Sequence, residues 1–254
     1  MAFSSIILVV LYVPYKRPEP SSASEKLTLL SNKNYLISVG IFCVLALVQF
    51  GYRILMALFL KLDPSMQGIG WDSERKPGAM NGLSGFIIML FPLYFSSTLS
   101  EKLGIKKTLL ALTVTMIPTI FTISWTYLIN NNYATFSVLV LLNGICLTSS
   151  TVFVSFISIA ISNSVSSNLA GSAMGISQAV VALMRALSTV STAWLFSWSI
   201  DSALNFFPFD IHFCFFMLIF ILIVDFILIK FTLDETVEKR KVKQNEVKLL
   251  EKLN

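Results

Sequence analysis

Six predominantly apolar runs, at residues 36–60, 79–99, 107–129, 134–161, 172–198 and 211–231, constrain this chain more than any other feature. Each holds between 21 and 28 residues, and a helix rising 1.5 Å per residue needs about 20 to cross roughly 30 Å of hydrocarbon. Lipid offers a backbone no outside hydrogen-bond partner, so open sheet edges are excluded and the runs must be helical. The expected fold is all-α: a polytopic membrane helix bundle with six transmembrane helices over residues 36–232.

Composition agrees. The chain is 55% hydrophobic and 13% charged, with a mean hydropathy of +0.76, whereas a soluble domain carries roughly 25% charged residues. A seventh apolar stretch, residues 3–15, is too short to cross and lacks a basic leader and a cleavage site, which argues against a signal peptide. Residues 1–15 are therefore expected to be the remnant of a preceding transmembrane helix. Residues 16–35, with two prolines and a serine cluster, read as a cytoplasmic linker. Residues 233–254 read as a charged cytoplasmic tail.

The net charge of +5 gathers in three places: Lys16, Arg17, Lys26 and Lys33; Lys102, Lys106 and Lys107; and the tail from Lys239 onward. With six spans all three lie on one side, and the positive-inside rule then makes both termini cytoplasmic. Orientation explains the basic balance, so nucleic-acid binding is not expected. Cys43, Cys146 and Cys214 all lie inside spans, without metal-ligand spacing, and read as packing residues. No metal and no cofactor is expected.

The polar residues inside the spans fall on single helical faces. In the fifth span Gly171, Gly175, Gln178, Ala182, Arg185, Thr189 and Thr192 follow spacings of three and four. Gly144, Thr148, Thr151, Ser155, Ser158 and Ser162 do so in the fourth, Thr115, Thr119, Thr122 and Thr126 in the third, and Gly78, Gly82 and Gly85 in the second. Such stripes are how membrane helices pack, and the glycines of the second span are read that way.

A mid-span arginine is different. It costs about 2.5 to 3.5 kcal/mol on insertion scales and is kept for a pathway, a partner or a water-filled cavity. Arg185 is the leading cavity or gating candidate, with Gln178 one face-turn away. Arg53 with Gln49, and Asn143 in the fourth span, join them. Asp225 in the last span is a candidate proton site. His212 reads as an interfacial histidine.

Between the second and third spans, Glu101, Lys102, Gly104, Lys106 and Lys107 resemble the acidic-basic-x-Gly-x-basic-basic loop of the major facilitator superfamily. Gly104 suits a tight turn, and the charges can pair across a helix end and release as the bundle rocks. MQGIGWDS with GLSGFIIMLFPLYF is similar to the passage from helix 7 to helix 8 of eukaryotic members. GSAMGISQAVVALMRALSTVSTAWLFSWSID is similar to their eleventh helix. The nearest likeness is to the fungal and plant zinc-induced-facilitator-like group, in which a Gln and an Arg recur seven residues apart, as Gln178 and Arg185 do. Where that group has Gly-Pro this chain has Ser188 and Thr189, and Ser97 stands where the loop motif opens with glycine.

The resemblance implies the C-terminal half of a major facilitator fold, helices 7 to 12, built from two three-helix repeats. It implies secondary active transport of a small solute by alternating access, with proton coupling, and a missing N-terminal half or a homodimer to complete the cavity. The alternative is a truncated, non-transporting membrane protein or partner subunit. An enzyme is not expected, for there is one histidine and no catalytic motif. Partners are then the lipid bilayer and an unidentified small-molecule or ion substrate. Plasma and vacuolar membranes are equally compatible.

Overall fold

The computed structural model describes residues 32–201 and 210–233 except Asp72, without the side chains of residues 91–102, Ser167 and Asp201. The expected helix remnant (1–15), most of the linker and nearly all of the tail lie outside the described residues. Among the described residues six α-helices follow one another: α1 (Lys33–Lys61), α2 (Arg75–Lys102), α3 (Gly104–Ser124), α4 (Asn132–Asn163), α5 (Ala170–Asp201) and α6 (His212–Thr232). No strand occurs among the described residues. Among the described residues, five helices, α1 and α3 to α6, are long and apolar enough to cross a membrane.

The helices overrun the apolar runs because hydropathy marks the hydrocarbon while caps mark where a helix stops. α1 opens at Lys33, three residues inside the expected linker, because the Asn32 side chain accepts the backbone N–H groups of Asn34 and Tyr35. The Asn32 amide also donates to the Ser164 carbonyl at 2.7 Å, tying the start of α1 to the end of α4. Asn131 caps α4 in the same way through Tyr133 and Ala134. Between α2 and α3 the chain turns on Leu103 alone, and Gly104 has φ +74°. That left-handed conformation is one a side chain resists, as expected of the loop glycine.

After α1 the loop folds back on the helix end: Ile69 and Trp71 donate their N–H groups to the carbonyls of Phe59 and Leu60. Asp63 caps the 3-10 turn Pro64–Met66 by accepting the Ser65 N–H at 2.8 Å. Hydrogen bonds from the Ser65 hydroxyl and backbone hold its carboxyl below the usual Asp range.

α1 is the centre of the bundle, packing on α5, α6 and α4; α3 packs on α4 and α6, and α2 on α4. Phe42, Leu45, Leu55 and Phe59 of α1 are buried with Phe153, Phe215 and Leu222, and the Phe59 and Phe215 rings meet edge to face at 5.3 Å. Where α1, α5 and α6 converge, a Cβ on Gly51 would lie 2.8 Å from Thr192 Oγ1 and 3.0 Å from Leu218 Cδ2. Gly51 thus permits the approach, and Ser188 seals it by donating to the Leu47 carbonyl at 2.5 Å.

The glycine stripe of α2 differs from expectation. Gly78, Gly82 and Gly85 of α2 have nothing within 4 Å of a would-be Cβ, so they do not pack on another described helix; Gly144 of α4 does, against Ile87. The threonines of α3 are satisfied within their own helix: Thr115, Thr119 and Thr122 each donate to the carbonyl four residues earlier.

Candidate functional site

A polar cluster forms where α1 meets α4 and continues from α4 to α2. Gln49, Tyr52 and Arg53 occupy successive positions on adjoining faces of α1, three and one residues apart. The Gln49 amide donates to Ser150 Oγ at 3.2 Å, and Ser150 in turn donates to the Leu147 carbonyl. One turn on, the Tyr52 hydroxyl donates to Asn143 Oδ1 at 2.9 Å. Asn143 Nδ2 reaches α2, donating to Ser84 Oγ at 3.1 Å and to Asn81 Oδ1 at 3.4 Å. Three helices are thereby joined through one amide. Each such interhelical bond contributes about 0.6 kcal/mol in a membrane.

Beside this cluster lies a groove of about 560 Å³ lined by Tyr52, Arg53, Lys61, Glu74, Asn81 and Asn143. It runs from the middle of α1 to the end that carries the α1–α2 loop. Lys61 and Glu74 form an ion pair at its mouth, with side chains 56% and 77% exposed, so the pair contributes at most about 1 kcal/mol.

Arg53 and Arg185 meet over a residue that sequence reading passed by. The Arg53 guanidinium lies 5.5 Å from the centre of the Phe50 ring, and the Arg185 guanidinium lies 5.1 Å from the same ring. The two charges are therefore at most about 11 Å apart. At that separation, with an effective dielectric of about 20, they repel by about 1.5 kcal/mol. Arg185 Nε is buried without a hydrogen-bond partner among the described residues, and neither arginine has an ion-pair partner there. Phe50 supplies a face for both cations but no counter-charge.

The structure thus brings together Gln49, Arg53 and Asn143, and joins Arg185 to them through Phe50. Gln178 lies on the exposed face of α5, outside the groove. Asp225 also lies away from it: its side chain is fully buried on the packed face of α6, with neither oxygen bonded among the described residues. Lys230 does not reach it, lying exposed over the Phe231 ring at 5.6 Å. His212, at the start of α6, is 1% exposed; its Nδ1 meets Asp210 Oδ1 at 2.9 Å, with Trp125 and Tyr127 against its ring.

Of the loop motif, Gly104 is described above, Lys106 is half-buried and Lys107 exposed. The side chains of Glu101 and Lys102 lie outside the described residues. The three cysteines are free and buried, as packing residues are. No group of three metal-ligating side chains occurs among the described residues.

Sequence reading missed Tyr52, Asn81, Ser84 and Phe50. The signal for Tyr52 was present, since it follows Gln49 by three residues and shares its face. No family model matches this chain, and neither the curated proteins nor the solved structures include a match.

Proposed function

We propose that this chain forms one wall of a solute transporter: a six-span half of a major facilitator fold, with both termini cytoplasmic, that works by alternating access. The observation that carries the reading is the polar groove. Lipid-facing helices have no use for a Gln, two Asn, a Tyr hydroxyl and an arginine converging between three spans, and such groups are retained where they line a solute pathway. α2 serves as the sixth span in this reading, since its Asn81 and Ser84 complete the cluster.

The alternative, a partner subunit that does not transport alone, is favoured by a specific feature. α5 buries little of itself: Leu183, Leu187, Val190 and Trp194 are exposed, and the glycines of α2 and α5 have open space before them. Small-residue stripes of that kind accept a second helical wall. A homodimer or a separate N-terminal half would supply it.

The test is uptake into proteoliposomes under an imposed pH gradient, from a panel of radiolabelled organic acids, amines and sugars. Wild-type protein is expected to accumulate at least one of them. Arg185→Ala is expected to abolish that uptake while inserting normally, because removing a mid-span charge eases burial. Normal uptake by the variant would refute a role for Arg185 in the pathway, and no uptake of any solute by wild-type dimers would favour the partner-subunit reading.

A further inference from the structure

The two arginines that share the Phe50 ring form a pair of cations without an ion-pair partner among the described residues. Arg185 stands in the middle of α5, fifteen residues from Ala170 and sixteen from Asp201. Arg53 is eight residues before the end of α1 at Lys61, about 12 Å along the axis. The only acidic side chain described in the interior of the spans, Asp225, bonds to neither. A fold that keeps two guanidiniums this close, with a buried Nε unpaired among the described residues, leaves donors for an acceptor that carries negative charge.

We propose that Arg53 and Arg185 form an anion-binding site, and that the solute carried by this wall is an organic anion held through a carboxylate or phosphate group. The inference rests on the transport reading and names its substrate class. Phe50 fixes the two guanidiniums by its ring faces and leaves their N–H edges available. The neighbouring Gln49, Tyr52 and Asn143 supply polar groups for the remainder of the solute. A single anion bridging both cations relieves their repulsion, which neither a neutral sugar nor an amine can do. The depth of Arg185 favours a solute over a lipid headgroup, whose phosphate lies at the membrane surface.

The measurement is calorimetric titration of the purified chain in nanodiscs of phosphatidylcholine, with citrate, benzoate and inorganic phosphate as probes and choline and glucose as controls. At least one of the anions is expected to bind and both controls to fail. Arg53→Gln and Arg185→Gln are each expected to weaken that anion at least tenfold. Arg185→Lys, which keeps the charge, is expected to recover part of the loss. Circular dichroism and size-exclusion elution matched to wild type establish that the variants fold.

Failure of all three anions to bind, or unchanged affinity in both glutamine variants, overturns the site. Competition by phosphatidylglycerol in the disc assigns it to a lipid phosphate and overturns the solute. The two readings separate cleanly. Anion binding without uptake in proteoliposomes keeps the site and refutes transport, whereas uptake of choline or glucose that survives Arg53→Gln keeps transport and refutes the site.

Discussion

Asn143 ties three helices together, so its replacement tests the polar cluster most directly. Asn143→Leu keeps the side-chain volume nearly constant but deletes the acceptor of Tyr52 and the donor to Ser84 and Asn81. Three interhelical bonds at about 0.6 kcal/mol each give a loss of about 2 kcal/mol. The orphaned Tyr52 hydroxyl, on a residue only 2% exposed, adds about 1 kcal/mol or more. Tyr52→Phe alone removes one bond and is expected to cost about 0.6 to 1.7 kcal/mol.

Because both variants break the same 2.9 Å contact, the double mutant should cost less than the sum of the singles by about 0.6 kcal/mol or more. The assay is reversible unfolding in mixed micelles by titration with dodecyl sulfate, followed by circular dichroism, on all four members of the cycle. A coupling below about 0.3 kcal/mol would mean the two residues act independently. The cluster would then not exist as described, and the groove would lose its polar lining.

Two further outcomes are expected. Gly51→Ala places a methyl 2.8 Å from Thr192 Oγ1 and should destabilise the bundle by about 1 to 3 kcal/mol in the same unfolding assay; Gly82→Ala, with open space before it, should be neutral or stabilise by up to about 1 kcal/mol, and equal effects would refute the packing at Gly51. The Asp63 carboxyl has a lowered pKa in the folded loop, so its cap is present at pH values above the unfolded pKa and is lost as pH falls through the folded one; an NMR titration midpoint at or above about 3.9, the ordinary Asp value, would contradict it.

The all-helical character of the chain, with five helices long and apolar enough to cross a membrane, was legible in its runs because length and hydropathy are local properties, and a backbone in lipid has no alternative to helix. Helix ends were read less well: α1 begins at Lys33 because Asn32 caps it, a local signal that hydropathy overrides when a window is averaged. Gly104 was legible as a turn because its role depends on its own φ. Its partners in the loop motif are a matter of resemblance.

The candidate site was legible only in part. A mid-span Arg, Gln or Asn announces itself by its cost in hydrocarbon, so Arg53, Arg185, Gln49 and Asn143 could be named from spacing alone. Which of them meet could not, because that depends on the rotation of each helix about its axis and on which helices are neighbours. Gln178 shares the stripe of Arg185 on α5 yet faces outward, and Asp225 turns into the packed interior away from the groove.

Phe50 shows the limit most plainly. In sequence it is one of 21 phenylalanines in an apolar chain, and nothing local distinguishes it. The packing of α1 against α5 sets Arg53 and Arg185, which are 132 positions apart, over one ring. Hydropathy and spacing determined what each helix is and which residues are costly to bury. Tertiary packing decided which costly residues share a surface, because contact between them is a property of helix register and crossing, which no single segment contains.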